Sequence, residues 1–221
     1  MYYKQCERDS LISRVNQEPN LVCFLESPIV YKSKDLDLVI DYYSIDELPQ
    51  TLRDWTFNLV KQNLYNMYIN SNDGWSDEGK KKEMFAPEAR YLIARSATDA
   101  DDLKGFLLFQ MVQEETMDDD VMANCAYCYE IQLIEGARSQ GLGEFFMSLL
   151  DQIGSYWKMD KVMLTVFKAN KGAFKFYTEK LGFELDEISP GACLPRYKAK
   201  HFDYELLSKP CQADRKKKER E

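Results

Sequence analysis

The chain has 221 residues, of which 45% are hydrophobic and 30% charged, a globular balance with enough apolar surface for one full core. Acidic residues outnumber basic ones by 37 to 29, and the net charge of −8 argues against a general nucleic-acid binder while fitting a cationic substrate. The sequence contains no apolar run of about 18 residues and no signal peptide, so we expect an intracellular protein without a membrane partner.

Six cysteines are scattered along the chain, without the density of a disulfide framework. Cys125 and Cys128 have the spacing of half a zinc site, but no second pair accompanies them and His201 is the only histidine. Residues three apart in a strand also point to opposite faces. We therefore predict reduced packing cysteines and no metal.

Hydrophobic periodicity and turn residues predict the elements in chain order. The predicted helices span residues 2–17, 44–72, 76–85, 142–157 and 170–181. The predicted strands span residues 36–43, 91–96, 104–114, 127–134, 161–167, 182–185 and 202–207. This order is typical of an α/β sandwich on a mixed sheet. We divide the chain into an N-terminal extension over 1–34 packed on the core, a domain over 35–208, and a charged, disordered tail over 209–221.

The stretch from Tyr127 to Trp157 has the pattern of a strand, a glycine-bearing bend and an amphipathic helix. The first amides of such a helix lack internal partners and the helix dipole is positive there, which predicts a phosphate site. No Gly-Lys-Ser/Thr follows, as a P-loop requires, and Phe146 replaces the third small residue of a dinucleotide fingerprint. The alternative is a glycine-rich turn without a ligand.

Two motifs favour the ligand. The run Arg138-Ser139-Gln140-Gly141-Leu142-Gly143 matches Arg/Gln-x-x-Gly-x-Gly/Ala and resembles the pyrophosphate loop of the GCN5-related acetyltransferase (GNAT) superfamily, which binds acetyl-coenzyme A. Asn170-x-x-Ala173-x-x-x-Tyr177 followed by Leu181-Gly182-Phe183 resembles the coenzyme-side helix and next strand of that superfamily. The resemblance implies a GNAT fold over 35–208, a mixed, mostly antiparallel sheet flanked by helices, with an N-terminal helical extension.

The resemblance also implies how acetyl-coenzyme A is held as co-substrate, without a metal. Loop amides bind the pyrophosphate, and strand amides that are free of a neighbouring strand meet the acetyl carbonyl and the pantetheine arm. The implied coenzyme-binding residues are Ile131, Gln132, Leu133, Arg138, Ser139, Gln140, Gly141, Leu142, Gly143, Glu144 and Asn170.

A closer similarity is to the NatD family of N-terminal acetyltransferases, which modify histone H4 and the other core histone that begins Ser-Gly-Arg-Gly. The segments that carry it are 127–133, 161–168 and 183–186, together with Ser189-Pro190. It implies a histone tail as partner, no direct nucleic acid and no auxiliary subunit, and a location in the nucleus and cytoplasm. The residues implied to line the peptide slot are Tyr68, Tyr129, Thr165 and Tyr204, each of which could instead be a packing residue.

Glu130 is the predicted general base, with Tyr129 beside it. An N-terminal amine ordinarily has a pKa of about 7.7–8.0, against about 10.4 for lysine, so a modest base acting through a water suffices. Glu130 lies in an apolar strand, so we expect burial to raise its pKa. The alternative is a buried glutamate paired with a basic group. The amine would attack directly in a ternary complex, without a cysteine nucleophile.

Two residues depart from the family pattern. Asp73 stands where the family has tryptophan, before Gly74-Trp75, and Val112 stands where an aspartate would contact substrate. Either Glu114 or Glu115 makes these substrate contacts instead, or the protein is less selective for the peptide sequence. Two other functions stay open: a GNAT enzyme for lysine or a small amine, and a histone-tail binder without catalysis.

Overall fold

The computed structural model describes residues 2–118 and 120–211, and their side chains from Cys6 onward. One eight-stranded sheet has the order β1-β2-β3-β4-β5-β6-β8-β7. The strands are β1 (Ile29–Lys32), β2 (Asp37–Ser44), β3 (Arg90–Ser96), β4 (Leu103–Glu114), β5 (Ala123–Leu133), β6 (Lys161–Phe167), β7 (Glu184–Leu185) and β8 (Tyr204–Pro210). Neighbours are antiparallel except for the parallel pair β5 and β6. The predicted mixed, mostly antiparallel sheet is confirmed.

Helices cover both faces of this sheet. They are α1 (Tyr2–Gln17), α2 (Gln50–Ile69), α3 (Asp77–Met84), α4 (Leu142–Tyr156), α5 (Lys171–Lys175), α6 (Pro190–Cys193) and α7 (Arg196–Ala199). A 3₁₀ turn (Glu135–Ala137) precedes α4, and a π-helical turn (Phe176–Lys180) continues α5. None of the helices in the described ranges is long and apolar enough to cross a membrane.

The strand β4 is buried on both faces because its side chains alternate between two cores. Leu107 and Phe109 join a cluster with α1 and α4, whereas Phe106 and Leu108 join a cluster with α2 and α3. All four are fully buried. This two-sided burial makes the middle of the sheet the rigid platform of the domain.

The predicted N-terminal helix is present as α1, where Val15 is 2% exposed. The sequence analysis missed β1, which lies within the 1–34 extension and pairs with β2 from Ile29↔Ile40 to Lys32↔Asp37. Four residues are too short for a periodicity signal, so only pairing reveals this strand. The last strand extends beyond the predicted Leu207 to Pro210, and Cys211 is buried, so three residues assigned to the tail continue the fold. Residues 212–221 of that tail lie outside the described residues.

The strands β5 and β6 separate partway along their length. Their register runs from Cys125↔Lys161 to Cys128↔Leu164 and then ends. On the other side of β5, the pairing with β4 shifts between Leu108 and Phe109, so Tyr129 is an extra residue in a bulge. The far half of β5 therefore diverges from β6 while staying paired with β4.

Cys125 and Cys128 pack in different cores, as expected for residues three apart in a strand. Both thiols are free and buried, and burial raises the pKa of each. Nothing in their surroundings pairs them with each other.

Gly105 allows β4 to pack closely against the C-terminal end of β5. A Cβ at this position would lie 2.3 Å from Leu133 Cδ2 and 2.7 Å from the Gln132 carbonyl oxygen. We expect Gly105→Ala to lower the free energy of unfolding by about 1–3 kcal/mol, because a backbone carbonyl cannot move aside. Gly172→Ala, in α5 with open space around it, is the control and is expected to be neutral or mildly stabilising. Urea unfolding of both variants measures this, and equal stability would contradict the close approach.

Candidate active site

A cavity of about 640 Å³ opens where β5 and β6 separate. Its walls come from both strands, from the end of α2, from α3 and from β8. Eight residues predicted to act in the site line it: Tyr68, Tyr129, Glu130, Ile131, Gln132, Thr165, Asn170 and Tyr204. The fold therefore brings the predicted base and all four predicted peptide-slot residues to one space.

The predicted pyrophosphate loop lies beside this cavity rather than in its wall. Gly141 has φ of +85° and precedes α4, and the first helical bond runs from the Phe145 N–H to the Gly141 carbonyl. Within the described chain, the N–H groups of residues 139–144 donate no hydrogen bond. Several unpaired amides at a helix N-terminus suit a phosphate group, so the loop fits the pyrophosphate of a coenzyme.

The far half of β5 offers two more free amides. Ile134 N–H donates to the Lys104 carbonyl at 3.0 Å, on the β4 side of the strand. Because successive strand amides point to alternate sides, the N–H groups of Ile131 and Leu133 face the side that β6 has left. These two groups fit the pantetheine arm and the acetyl carbonyl, as the family resemblance implies.

The side chains of several predicted coenzyme residues bind the protein itself. Arg138 Nη2 donates to Asn63 Oδ1 at 2.7 Å, and Gln140 Nε2 donates to the Gly136 carbonyl at 2.8 Å. Asn170 Oδ1 caps α5 by accepting the Ala173 N–H at 3.1 Å. Glu144 forms an exposed ion pair with Lys180 at 2.8 Å. These side chains are therefore held by the protein itself, and the polar groups that the loop leaves free include backbone amides.

Glu130 is buried and has a partner on each carboxylate oxygen. The side chain is 4% exposed. Its Oε1 lies 2.7 Å from Lys80 Nζ, and its Oε2 accepts a hydrogen bond from Gln132 Nε2 at 2.8 Å. The pairing with a basic group is the alternative predicted for this glutamate. It does not conflict with a role as base, because each carboxylate oxygen keeps a second lone pair.

The Glu130 partner Gln132 extends the polar contacts to the coenzyme loop. Gln132 Oε1 accepts a hydrogen bond from Asn63 Nδ2 at 2.9 Å, and Asn63 Oδ1 in turn accepts one from Arg138. A continuous chain of hydrogen bonds therefore links the predicted base to the predicted pyrophosphate loop.

Lys80 is the main site residue that the sequence analysis missed. It is 7% exposed, and its Nζ also contacts Glu83 Oε1 at 2.6 Å and Tyr68 OH at 2.8 Å. Burial acts to lower its pKa, but the nearby negative charges, of which Glu130 is the strongest, prevail and the pKa is raised. The run Lys80-Lys81-Lys82 suggests a solvated helix face, and nothing in its pattern marks the first lysine as buried.

Burial raises the pKa of three tyrosines of the cavity, Tyr68, Tyr129 and Tyr177, so these three remain protonated at neutral pH. Burial, reinforced by the Glu130 charge, raises the pKa of Tyr68 to about 12. Burial also raises the pKa of Tyr129 and, well above its ordinary value, that of Tyr177. Tyr68 is fixed by edge contacts with the Trp75 and Phe167 rings, at 5.3 and 4.9 Å between centroids. The walls are therefore aromatic surfaces with neutral hydroxyl groups.

The opposite wall holds the remaining predicted slot residues. Thr165 Oγ1 lies 2.5 Å from Tyr127 OH, and the Tyr127 and Tyr129 rings are 4.9 Å apart. Val112 packs against this same group, while the exposed Asp73 lies at the edge of the cavity. The two departures from the family pattern thus both fall on or next to the cavity.

Glu114 lies near this wall. It is two residues after Val112 in β4 and so on the same face of the strand, and it is half-buried. Burial raises its pKa, although the Lys161 charge acts to lower it. The charges of Glu114, Glu83 and Glu88 all act to raise the pKa of Tyr129, and of these three glutamates Glu83 lines the cavity. Across the ranges that the structure describes, no group of three metal-ligating side chains is formed.

Comparison with known proteins agrees with this geometry. The sequence profile of the Acetyltransferase (GNAT) family matches residues 57–183, more than half of the chain. Among solved structures, a GNAT-family acetyltransferase from Listeria monocytogenes 4b F2365 is 11% identical, with a TM-score of 0.54 over 82% of this chain and 99% of that one. Arabidopsis thaliana NAA60, solved with a bisubstrate analogue, is 16% identical, with a TM-score of 0.53 over 77% and 97%.

A third similar structure is the PaiA N-acetyltransferase from Thermoplasma acidophilum in complex with coenzyme A, 18% identical, with a TM-score of 0.51 over 78% of this chain and 98% of that one. At such identities these structures establish the fold alone. The family profile, the splayed parallel strands and the amide-lined loop all point to the same enzyme class, and the chain belongs to the GNAT family of acetyltransferases.

Proposed function

We propose that this GNAT enzyme transfers acetyl from acetyl-coenzyme A to the N-terminal α-amine of histone H4 and of the other core histone that begins Ser-Gly-Arg-Gly. The observation that carries the proposal is that Glu130 and the four implied peptide-slot residues line one cavity at the divergence of β5 and β6. The similarity of the segments around Glu130 and Thr165 to the NatD family supports the same substrate. We place the enzyme in the nucleus and cytoplasm, acting without an auxiliary subunit.

The cavity walls suit a small first residue. Tyr68 contacts the Trp75 and Phe167 rings, and Tyr129 contacts the Tyr127 ring. Moving either tyrosine aside to admit a bulky side chain would break these ring contacts. Serine followed by glycine fits between such walls, and larger residues would clash. The carboxylates of Glu83 and Asp73 in the cavity lining, with the charge of Glu114 acting on Tyr129, suit the arginine at the third position of the tail.

The reaction is a direct transfer. The amine nitrogen attacks the thioester carbonyl carbon, the oxyanion is stabilised by a free amide of β5, and the C–S bond then breaks to give acetylated amine and coenzyme A. Glu130 accepts the amine proton through a water. The leaving thiolate needs a proton, and we assign this step to the hydroxyl group of Tyr177, which lines the cavity.

An acetyltransferase for lysine or a small amine is the second candidate. A lysine amine must lose a proton at a pKa of about 10.4, which requires a stronger base than an α-amine does. Glu130 is already paired with an ammonium group at 2.7 Å and accepts a hydrogen bond from Gln132 at 2.8 Å, so only its remaining lone pairs are open to an incoming proton. The observation favours the α-amine over lysine.

Mass spectrometry of a Ser-Gly-Arg-Gly-Lys-Gly peptide incubated with the protein and acetyl-coenzyme A tests the proposal. The same peptide with a blocked amine is the control. We expect acetyl on the free N-terminus and none on the blocked peptide. Acetyl on the lysine of both peptides would favour the second candidate, and tail binding without coenzyme turnover would favour a non-catalytic histone binder.

Glu130→Gln keeps the shape of the side chain and removes the base. We expect the turnover number to fall by about a hundredfold or more, with coenzyme affinity nearly unchanged, because the Glu130 carboxylate contacts Lys80 and Gln132 rather than the amides of the loop. Steady-state kinetics and calorimetric titration with coenzyme A measure the two effects. Equal losses in both quantities would make Glu130 a structural residue only.

Gly141→Ala tests the pyrophosphate loop. The positive φ disfavours any side chain, and a Cβ would lie 2.6 Å from Tyr31 OH, so we expect coenzyme affinity to fall by about tenfold or more. Gly182→Ala is the matched control, since Gly182 has φ of +69° and open space around it, far from the loop in sequence. It should lower stability without changing coenzyme affinity. Unaltered binding by Gly141→Ala would remove the pyrophosphate assignment.

The Glu114→Gln variant tests whether Glu114 makes the substrate contact that the family pattern assigns to an aspartate at the position of Val112. We expect KM for a Ser-Gly-Arg-Gly peptide to rise about fivefold, a loss typical of a rim ion pair, and KM for a Ser-Gly-Ala-Gly peptide to stay unchanged. Glu115→Gln should have the smaller effect, because Glu115 is exposed and lies beyond the end of β4. Burial raises the pKa of Glu114, so its charge and the arginine-dependent affinity are lost on acidification before an ordinary glutamate would lose them. A larger effect at Glu115 would reverse the assignment.

A further inference from the structure

We propose that Lys80 is a positioning residue that keeps Glu130 ionised and oriented inside the active-site cavity. The proposal rests on the proposed function only in treating Glu130 as the base. The contact itself, 2.7 Å between Lys80 Nζ and Glu130 Oε1, is independent of the substrate.

The pair is enclosed by protein. The side chains of Lys80 and Glu130 are 6% and 4% exposed, so water screens their attraction little. Lys80 also donates to Tyr68 OH and contacts Glu83, and Glu130 accepts a bond from Gln132 on its other oxygen. These contacts hold both side chains in one orientation, and the ion pair balances their charges.

In the described part of the chain, Lys80 is the titratable group that forms an ion pair with Glu130. Four others interact with it, from α2, β3, β5 and the π-helical turn: Tyr68, Tyr91, Cys128 and Tyr177. Burial raises the pKa of all four, so each is neutral at physiological pH. Glu83, on α3, lies against the other side of the Lys80 ammonium. The charge balance around the base therefore depends on one lysine.

A carboxylate buried without a cation favours its protonated form, because burial penalises the charge. A protonated Glu130 cannot take up the proton of an incoming amine. The ammonium of Lys80 thus preserves the acceptor form of the carboxylate, at the expense of some basicity. An α-amine that is already close to its free-base form tolerates this loss better than a lysine does.

Of three consecutive lysines on α3, only Lys80 is buried, whereas Lys81 and Lys82 are exposed. Ser76 Oγ caps α3 by accepting the Gly79 N–H at 3.1 Å, which sets the helix phase. Lys80 then lies on the same face as Met84, four residues later, and both are buried. Lys82 points to solvent and provides a matched control on the same helix.

The test follows the ionisation of Glu130 directly, by ¹³C NMR of protein labelled at the glutamate carboxyl carbon, with Glu130→Gln used to assign the signal. We expect Lys80→Met to move the titration midpoint of that signal upward by about one pH unit or more, because the charged form loses its partner. Lys80→Arg should leave it near the wild-type position, and Lys82→Met should not move it. If Lys80→Met does not fold, Lys80→Gln keeps a hydrogen-bond donor without the charge and should shift the midpoint in the same direction.

The pH–rate profile of acetyl transfer to the tail peptide is the second readout. The acid limb should move to higher pH in Lys80→Met, with the turnover number lowered about tenfold and coenzyme affinity unchanged, and Lys80→Arg should restore the limb. An unmoved NMR midpoint in the charge-removing variants would overturn the proposal. A moved midpoint in a protein that acetylates no histone peptide would instead uphold the Lys80 role and refute the proposed substrate.

Discussion

The divergence of β5 from β6 is the constraint on which the active site depends. Parallel pairing holds the two strands together only from Cys125 to Cys128. Beyond that point β5 continues alongside β4, and the bulge at Tyr129 increases the local twist that carries it away from β6. The separation leaves the amides of Ile131 and Leu133 without strand partners and opens the cavity between the two strands. A fully paired sheet here would have neither the polar groups nor the space.

Buried charge is placed at this opening and is balanced across several elements. Lys80 on α3, Glu130 and Gln132 on β5, Asn63 on α2 and Arg138 at the loop form one chain of polar contacts. The buried Lys80–Glu130 pair in this chain gives little net stability, because desolvation offsets much of the attraction, but removing one of the two partners leaves an uncompensated buried charge at a cost of about 3–5 kcal/mol. The chain of contacts also fixes geometry, because it connects the predicted base, the α2 helix and the predicted pyrophosphate loop through hydrogen bonds.

The N-terminal extension belongs to the same framework. Tyr31 on β1 donates a hydrogen bond to the Gln140 carbonyl and packs its ring 4.9 Å from Phe145, which braces the turn that enters α4. Leu21 accepts a hydrogen bond from Trp157 Nε1 at 2.8 Å and is fully buried. Residues outside the family-matched range 57–183 therefore support the loop within it.

The order of the elements, the loop motif and Glu130 were accessible from the sequence because each depends on local spacing: strand alternation, helix periodicity, and glycine at a turn of positive φ. Glu130 could be named as the candidate base because it is the one carboxylate in an apolar strand and because the segment around it resembles the NatD family. Its partner did not, because Lys80 and Lys82 are indistinguishable in a charged helix and only the packing of α3 on the sheet buries one of them. The strand β1, the bulge at Tyr129 and the extension of β8 to Pro210 were likewise decided by pairing between distant segments, which no local pattern encodes.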